Sequence, residues 1–265
     1  MSLLEIVVLA LVQGITEFLP ISSSAHLVLV PALLGWSDQG VAFDIAVHVG
    51  TLAAVLIYFR RDVAALVMGA LALLAGRVTP AGRLAVWLVL ASIPVVVAGL
   101  ALHAAGPEML RSVEVLAWAT LGFGLVLYAA DRYCPAGRQV DDLGWTGALW
   151  IGLAQVLALI PGTSRSGITM TAGRALGLNR QEAARFSLLL SIPTILGAGV
   201  LATKDLVDAG DVTLGLDAVL GAVLSFVFAL AAIAAMMAWL RRASFTPFVV
   251  YRVALGIGLL IWIYA

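Results

Sequence analysis

Two short polar stretches stand inside long apolar segments of the chain, and both contain residue types that can do chemistry. In the first, Gln13 and Glu17 are four residues apart and therefore share one face of a helix. Pro20 then turns the chain, and Ser22–Ser24 and His26 follow it. An ionisable side chain in a membrane segment is costly, so this cluster indicates function. The plainer alternative is a serine that caps a helix beside a buried, hydrogen-bonded histidine.

The second polar stretch runs from Pro161 to Thr169 and is rich in glycine, serine and threonine, with one arginine. Glycines let a ligand approach the backbone closely, and N–H groups at the start of a helix favour an anion. The Arg165 guanidinium can bind a phosphate through two parallel hydrogen bonds. The stretch lacks the Gly-Lys-Ser/Thr ending of a Walker A motif, so alone it predicts only an anion site. The candidate phosphate-binding residues are Gly162, Thr163, Ser164, Arg165, Ser166, Gly167 and Thr169.

An acidic, histidine-bearing tip that faces an anion-binding loop indicates phosphate chemistry. The Glu17 carboxylate would repel a phosphate unless a cation lay between them, so a divalent metal ion is implied. Asp44 and His48 are also four residues apart. These two side chains could line the same cavity, although a hydrogen-bonded pair outside any site explains their spacing equally well.

The composition of the chain is that of a membrane protein. Of its 265 residues, 63% are hydrophobic and 11% are charged, whereas soluble domains are about 45–50% apolar and about 25% charged. No polar stretch is long enough to form a soluble domain, so we expect one membrane domain over 1–265. A formal net charge of zero gives no indication of nucleic-acid binding. The single cysteine excludes an internal disulfide and a cysteine-based metal site.

Six apolar runs are long enough to cross a bilayer, which takes roughly 20 helical residues. They cover about 41–59, 83–103, 113–130, 183–203, 214–239 and 247–264. The two segments that contain the polar stretches, 3–35 and 145–176, are each interrupted at their centre. Irregular backbone at membrane depth survives only where protein or a water-filled cavity surrounds it, so we predict two re-entrant helix–loop–helix hairpins. A proline-kinked span in each place is the alternative.

Arginine is concentrated in four links of this layout: 60–83, 131–145, 174–185 and the residues after 239. The other two links, 104–112 and 204–213, contain one basic residue each. By the positive-inside rule the arginine-rich links face the cytoplasm, while the other links and both termini face the periplasm. We expect Arg174 to be such a topology charge and nothing more.

This alternation of charge requires each hairpin to enter and leave on one side. The second half is then an inverted repeat of the first, over about 1–131 and 141–265, and the two hairpin tips meet near the middle of the membrane. A weak echo between the halves agrees, since Gln13 and the run Pro20-Ile21-Ser22-Ser23 correspond to Gln155 and the run Pro161-Gly162-Thr163-Ser164. The predicted fold is therefore an all-α polytopic membrane protein with six transmembrane helices and two re-entrant hairpins.

At this point the motifs match a known family. The segment from Gln13 to His26 resembles the (Glu/Gln)-x-x-x-Glu signature and the following serine/histidine stretch of the undecaprenyl pyrophosphate phosphatases, the BacA/UppP family of bacitracin resistance proteins. The segment from Pro161 to Thr169 resembles the second signature, Pro-Gly-x-Ser-Arg-Ser-x-x-Thr. The similarity runs nearly end to end and includes 43–52 and 186–193.

The resemblance implies a membrane hydrolase that removes the terminal phosphate of undecaprenyl pyrophosphate and so recycles the lipid carrier of cell-wall synthesis. It further implies a Mg²⁺ or Ca²⁺ cofactor, bacitracin resistance and a site in the bacterial inner membrane that opens to the periplasm. The essential residues of the family correspond here to Glu17, Ser23, His26, Ser164, Arg165, Ser166 and Thr169. Many members have Glu where this chain has Gln13, whose amide oxygen can still contact a cation.

From these residues we expect Glu17 and Gln13 to bind the cation, and Arg165 with the backbone amides of 162–167 to bind the phosphates. His26 is the expected acid/base, and Ser23 is either the nucleophile or a group that orients an attacking water. A transporter that flips a polyprenyl phosphate carrier is the main rival, because inverted repeats with broken helices are also a carrier design. The expected partners are the substrate and membrane lipid; a homo-oligomer is an open possibility.

Overall fold

The computed structural model describes residues 1–105, 112–208 and 215–265. These described residues form eleven α-helices, and their only β pairing is an isolated bridge between Arg138 and Leu178. In chain order the helices are α1 (Leu3–Thr16), α2 (Ser23–Leu34), α3 (Val41–Tyr58), α4 (Arg60–Leu74), α5 (Pro80–Ala105), α6 (Val113–Tyr133), α7 (Trp145–Val156), α8 (Arg165–Ala175), α9 (Arg180–Asp208), α10 (Leu216–Trp239) and α11 (Thr246–Tyr264).

Within the described ranges, six helices are long and apolar enough to cross a membrane: α3, α5, α6, α9, α10 and α11. Each overlaps one of the six predicted spans, so their number and places are confirmed. Residue 214 of the fifth predicted span, and parts of the links 104–112 and 204–213, lie outside the described residues. Large apolar side chains such as Val97 and Val227 stay exposed on these helices, as lipid-facing residues do. The chain is a multi-pass all-α membrane protein.

The two interrupted segments each form two short helices with a break between them. Helix α1 has 14 residues and measures about 21 Å, too short to cross about 30 Å of hydrocarbon. Helices α1 and α2 pack against each other, and so do α7 and α8. The two limbs of a kinked span would instead extend away from the kink in opposite directions. The packing of each pair of short helices favours a hairpin over a kinked span, while the re-entrant hairpins stay a prediction.

The predicted link 60–83 contains a helix that the sequence analysis did not predict. Most of the segment forms α4, which packs against α5. Only its first turn is charged, and the rest is apolar as far as Leu74. At 15 residues α4 is not among the candidate spans, and several of its apolar side chains, such as Met68 and Leu71, are exposed.

The two ends of the helix bundle differ in their arginine content. At one end the terminal amine of Met1 forms an ion pair with Asp217 at 3.0 Å, and Tyr264 hydrogen-bonds to Glu114. Both chain termini therefore lie beside the starts of α10 and α6. The other end contains the arginines of the links 131–145 and 174–185. Both termini thus lie at one end of the bundle and the arginine-rich links at the other, as the charge pattern predicts.

Candidate active site

The same unusual turn ends both hairpin breaks. Ser22 has a φ of +75° and precedes α2, and Ser164 has a φ of +71° and precedes α8. Positive φ is uncommon for a residue with a side chain and costs of order 1–3 kcal/mol, so it persists where the surroundings enforce it. In each turn the serine Oγ lies 3.2 Å from the Oγ of the serine two residues later, Ser24 or Ser166.

These matching turns correct the register of the echo between the halves. The sequence comparison places Pro20 opposite Pro161 and Ser23 opposite Ser164. In the structure Ser22 corresponds to Ser164, so Ser23 corresponds to Arg165. The alignment of the two prolines caused this one-residue error. Pro indicates that a turn is present, but it does not fix which position of the turn it occupies.

The two breaks meet at the buried carboxylate of Glu17. Its oxygens accept hydrogen bonds from Ser23 Oγ at 2.6 Å, from Gln13 Nε2 at 3.2 Å and from Arg165 Nη2 at 3.0 Å. The Nε2 atom of His48, on α3, lies 3.7 Å from the carboxylate. Arg165 comes from the second hairpin and the other hydrogen-bond donors from the first. The structure therefore brings the acidic tip and the anion-binding loop together.

Residues behind Arg165 hold the second tip in place. The Ser164 hydroxyl accepts from the Gly167 amide at 3.1 Å and so caps α8, while Ser166 Oγ donates to the Leu19 carbonyl of the first tip at 2.9 Å. Thr169 Oγ1 donates to the Arg165 carbonyl at 2.9 Å and lies 2.7 Å from the hydroxyl of Ser187.

Of the predicted phosphate-binding residues, Ser164 and Arg165 line the main cavity of the described residues. The others, namely Gly162, Thr163, Ser166, Gly167 and Thr169, are not among its lining residues. Gly162 has a φ of +91°, and a Cβ there would lie 2.4 Å from the Leu116 carbonyl, so glycine is required at this step of the turn.

This cavity has a volume of about 710 Å³ and lies along α3 and α9. Its polar end contains Glu17, Ser23, Ser164 and Arg165, and Asp44 and His48 extend the polar surface along α3. The remaining wall is apolar and comes mainly from α3 and α9, including Ile45, Val49, Leu196 and Val200. Asp44 and His48, whose position the sequence left open, thus line the cavity.

His26 lies on the other side of the first tip and is not among the residues that line this cavity. Its Nδ1 is 2.6 Å from the Ser22 carbonyl, which can only accept, so Nδ1 carries the proton. Its Nε2 is 2.5 Å from the hydroxyl of Tyr251, and the two rings stack with centroids 5.6 Å apart. The structure thus separates His26 from the Glu17 carboxylate and places His48 near it instead.

The model of the family described as bacitracin resistance protein BacA matches residues 6–258 of the chain. The chain belongs to this BacA family. It is 53% identical over 267 residues to an undecaprenyl-diphosphatase of Jannaschia sp. (strain CCS1), with all of both chains covered. It is 52% identical to undecaprenyl-diphosphatase 1 of Rhodospirillum rubrum, covering 98% of this chain and 95% of the relative. It is 51% identical to an undecaprenyl-diphosphatase of Hahella chejuensis, covering 100% of this chain and 99% of the relative.

One prediction about this BacA-family chain is wrong. Arg174, expected to be only a topology charge, is 1% exposed. Its Nε forms an ion pair with Asp131 at 3.1 Å, and its other nitrogens donate to the carbonyls of Asp131, Pro135, Leu178 and Cys134. A charge in contact with that many acceptors is a structural clamp, because it joins the end of α8 to the end of α6.

Sequence reasoning also missed Arg252, which is fully buried in α11. Its guanidinium donates to the carbonyls of Thr120, Pro20 and Gly162. The signal was present, because an arginine inside the predicted span 247–264 is an ionisable residue at membrane depth. Its partners could not be read from the sequence, since they lie 90 to 232 residues away.

Whether these residues can bind a divalent cation depends on their oxygen atoms. The Gln13 Oε1 atom is buried and has no hydrogen-bond partner, and its amide is next to the Glu17 carboxylate. An orphaned amide oxygen beside a carboxylate is the kind of ligand that a hard cation takes. The described residues contain no group of three or more His, Cys, Asp or Glu side chains that could hold a metal. The site thus fits a cation that takes further ligands from a substrate phosphate and water, as Mg²⁺ usually does.

Proposed function

We propose that the chain is an undecaprenyl-diphosphatase, which hydrolyses undecaprenyl pyrophosphate to undecaprenyl phosphate and inorganic phosphate. The observation that carries the proposal is the cavity, where an apolar wall leads to a polar end with Arg165, Ser23 and Glu17 in contact. Full-length relatives more than 50% identical have that name. The same activity would return the lipid carrier to cell-wall synthesis and would explain the resistance to bacitracin in the family description.

The shape of the cavity suits a substrate with a long apolar tail and a doubly phosphorylated head. We place the pyrophosphate at the polar end, beside Arg165 and the Ser164 cap of α8, where helix N–H groups favour an anion. The isoprenoid chain leaves along the apolar wall between α3 and α9. Since the exposed sides of these helices are themselves apolar, the tail can remain in lipid while its head reaches the site.

Arg165 is the proposed phosphate-binding residue. Without substrate its guanidinium is held by the Glu17 carboxylate at 3.0 Å and by the Ser187 carbonyl at 3.4 Å. Its planar fork can take two phosphate oxygens at once, which a buried site free of bulk water strengthens. The exchange of Glu17 for phosphate frees the carboxylate to accept a proton from Ser23.

Ser23 is the proposed nucleophile, because its hydroxyl already donates to Glu17 at 2.6 Å. The Ser23 oxygen attacks the terminal phosphorus while its proton passes to Glu17. The bond from that phosphorus to the bridging oxygen breaks, and undecaprenyl phosphate leaves with the proton from Glu17. Water then attacks the phosphoserine and gives a proton to Glu17, which returns it to the Ser23 oxygen as inorganic phosphate leaves.

His26 is proposed to hold the first tip, because its proton-bearing Nδ1 donates to the Ser22 carbonyl beside Ser23. A divalent cation, Mg²⁺ or Ca²⁺, is proposed as the cofactor; Glu17 and Gln13 would hold it, and when bound it offsets the negative charge of the pyrophosphate. Asp44 lines the same cavity and is available as a further oxygen donor.

The proposed location is the bacterial inner membrane, with the cavity open toward the periplasm. The cavity includes Val41 at the start of α3 and Thr203 near the end of α9. Those helix ends belong to the end of the bundle that is poor in arginine, which the positive-inside rule assigns to the periplasm. Two inverted halves, over about 1–131 and 141–265, are part of this proposal. The packing of the helices supports them, since α1 packs on α10 as α7 packs on α5.

The test is phosphate release from undecaprenyl pyrophosphate by the purified protein in lipid nanodiscs. We expect stoichiometric inorganic phosphate and undecaprenyl phosphate, and a phosphoserine at position 23 in rapidly quenched turnover. A protein that moves the lipid between leaflets without releasing phosphate would be the rival flippase and would refute the proposal. Phosphate release without any phosphoserine would leave the hydrolase but replace Ser23 by an attacking water.

A further inference from the structure

We propose that Arg252 is a positioning residue that ties the two hairpin tips together and sets the distance between Ser23 and Arg165. This inference rests on the proposed hydrolysis for its catalytic consequence, but the tie itself is a matter of structure. The hydrogen-bond partners of Arg252 are all backbone carbonyls, and none of them is a proposed reacting group.

Arg252 is a costly residue to bury. A buried arginine is expensive unless its charge and its donors are satisfied, and the usual solution is a carboxylate. Within the described ranges no carboxylate forms an ion pair with Arg252. Its fully buried guanidinium instead donates to four carbonyls: Thr120 at 3.0 Å, Gly162 at 3.0 Å, Pro20 at 3.3 Å and Ala119 at 3.4 Å. An apolar residue could fill this space at lower cost. The presence of an arginine is therefore explained by its hydrogen bonds to these carbonyls.

Two of the carbonyls that Arg252 binds occupy matching positions in the two tips. Pro20 stands two residues before Ser22, and Gly162 stands two residues before Ser164. Ser22 and Ser164 are the two residues with matching positive φ, so Pro20 and Gly162 occupy the same step of the same turn. One planar group therefore binds the equivalent atom of both tips, and it anchors both to α6 through Thr120.

Glycines on neighbouring helices leave space for the Arg252 side chain. A Cβ at Gly167 would lie 2.8 Å from an Arg252 terminal nitrogen, and a Cβ at Gly124 would lie 3.0 Å from the Arg252 Cβ. Any side chain at Gly167 would thus push the arginine away from the second tip. The α8 glycine of the phosphate-binding stretch is then explained by Arg252 and not by contact with a ligand.

A tie that does not involve the reacting groups is useful during turnover. Beside the hydrogen bond from Ser166 Oγ to the Leu19 carbonyl, at 2.9 Å, the tips also meet through the pair of Arg165 with Glu17, at 3.0 Å. In the proposed reaction Arg165 leaves Glu17 for the phosphate, so that contact is lost when the geometry matters most. The Arg252 bonds involve no group that the substrate displaces. They keep Ser23 and Arg165 at a fixed separation throughout turnover.

The experiment compares Arg252→Met, which removes every donor, and Arg252→Lys, which keeps the charge and three donors, with Arg174→Met. Arg174 is the matched control, because it is also a fully buried arginine bonded to carbonyls, but its partners lie outside both tips. Each protein is purified in nanodiscs, and its melting temperature is measured together with amide hydrogen exchange and phosphate release.

We expect Arg252→Met to speed amide exchange at both tips, over 17–24 and 160–167, by about tenfold or more, because buried hydrogen bonds to each are lost. Arg174→Met should speed exchange near 131–138 and leave the tips unchanged. In turnover, Arg252→Met should lower kcat by about 10²-fold with KM within about threefold, the effect expected of a misplaced reacting group. Arg252→Lys should recover part of that loss.

The proposal that Arg252 ties the two tips would be refuted if amide exchange at the tips were unchanged in Arg252→Met. Faster exchange at one tip alone would refute it as well. A kcat loss no larger than that of Arg174→Met at the same melting temperature would reduce Arg252 to a structural residue. If Arg252→Met does not fold, Arg252→Lys decides the matter by the same two measurements. A parent protein that releases no phosphate would refute the proposed function, while the exchange data would still judge the tie.

Discussion

Replacement of Arg165 by lysine tests the proposed phosphate grip most sharply. The Arg165 side chain is 14% exposed, and its two terminal nitrogens point to two acceptors, Glu17 and the Ser187 carbonyl. Lysine keeps the charge but brings one nitrogen in place of the planar fork. It can retain the ion pair with Glu17, so the folded state loses only the long hydrogen bond from the charged guanidinium to the Ser187 carbonyl at 3.4 Å, about 1.5 kcal/mol.

The expected effect on turnover is much larger than this effect on stability. A charge-assisted bond to the developing phosphate charge in a buried site contributes about 3–4 kcal/mol, so Arg165→Lys should lower kcat by roughly 10²–10³. Arg165→Ala should lose at least as much turnover. It should also lose about 3–5 kcal/mol of stability, because Glu17 would stay buried without a counter-charge.

The assay is phosphate release at equal amounts of folded protein, with the melting temperature of each variant measured alongside. Arg132→Lys is the control, since Arg132 is exposed in the last turn of α6 at the arginine-rich end. Arg174→Lys cannot serve, because Arg174 is a buried clamp. If Arg165→Lys hydrolyses substrate within a few-fold of the parent, the bidentate contact is wrong. The grip on phosphate would then come from backbone amides and a cation.

Two further predictions concern the cation and the topology. Excess EDTA should abolish phosphate release, and Mg²⁺ or Ca²⁺ should restore it, because Glu17 and the orphaned Gln13 oxygen offer too few ligands to hold a cation against a chelator; full activity in EDTA would remove the cation from the mechanism. In a Cys134→Ser background, an impermeant thiol reagent added from outside should label Asp208→Cys and spare Ala136→Cys, both exposed positions. The reverse pattern would invert the whole layout.

The sequence predicted the spans well because a bilayer imposes a simple rule on composition. Long apolar runs must be helices, since lipid leaves backbone groups no other partner. The same rule exposed the two tips, where Glu17 and Arg165 interrupt apolar sequence. Helix α4 was not predicted, because its charged first residues, Arg60 and Arg61, made the whole segment look like a link.

The site was predictable as a set of residues but not as an arrangement. Glu17, Ser23 and Arg165 meet as their chemistry suggested, yet the tip turns His26 toward Tyr251 and the cavity takes His48 from α3. The helices that pack around a short tip set the direction in which its side chains point. The spacing of residues within the tip does not indicate that direction. The roles of Arg252 and Arg174 depend on carbonyls from distant segments, which no side-chain pattern reveals.

The packing of the first hairpin has a consequence for biogenesis. Helix α1 lies against α10, and the Met1 amine is paired with Asp217, although more than two hundred residues separate them in the chain. The tip it leads to finds Arg165 only after α8 has been made and Arg252 only after α11. The Glu17 carboxylate thus has no arginine partner until α8 is made, and its tip lacks the hydrogen bond from Arg252 until α11 is made. A chain truncated before α11 would contain Glu17, Ser23 and Arg165 and still lack the hydrogen bonds from Arg252 to both tips.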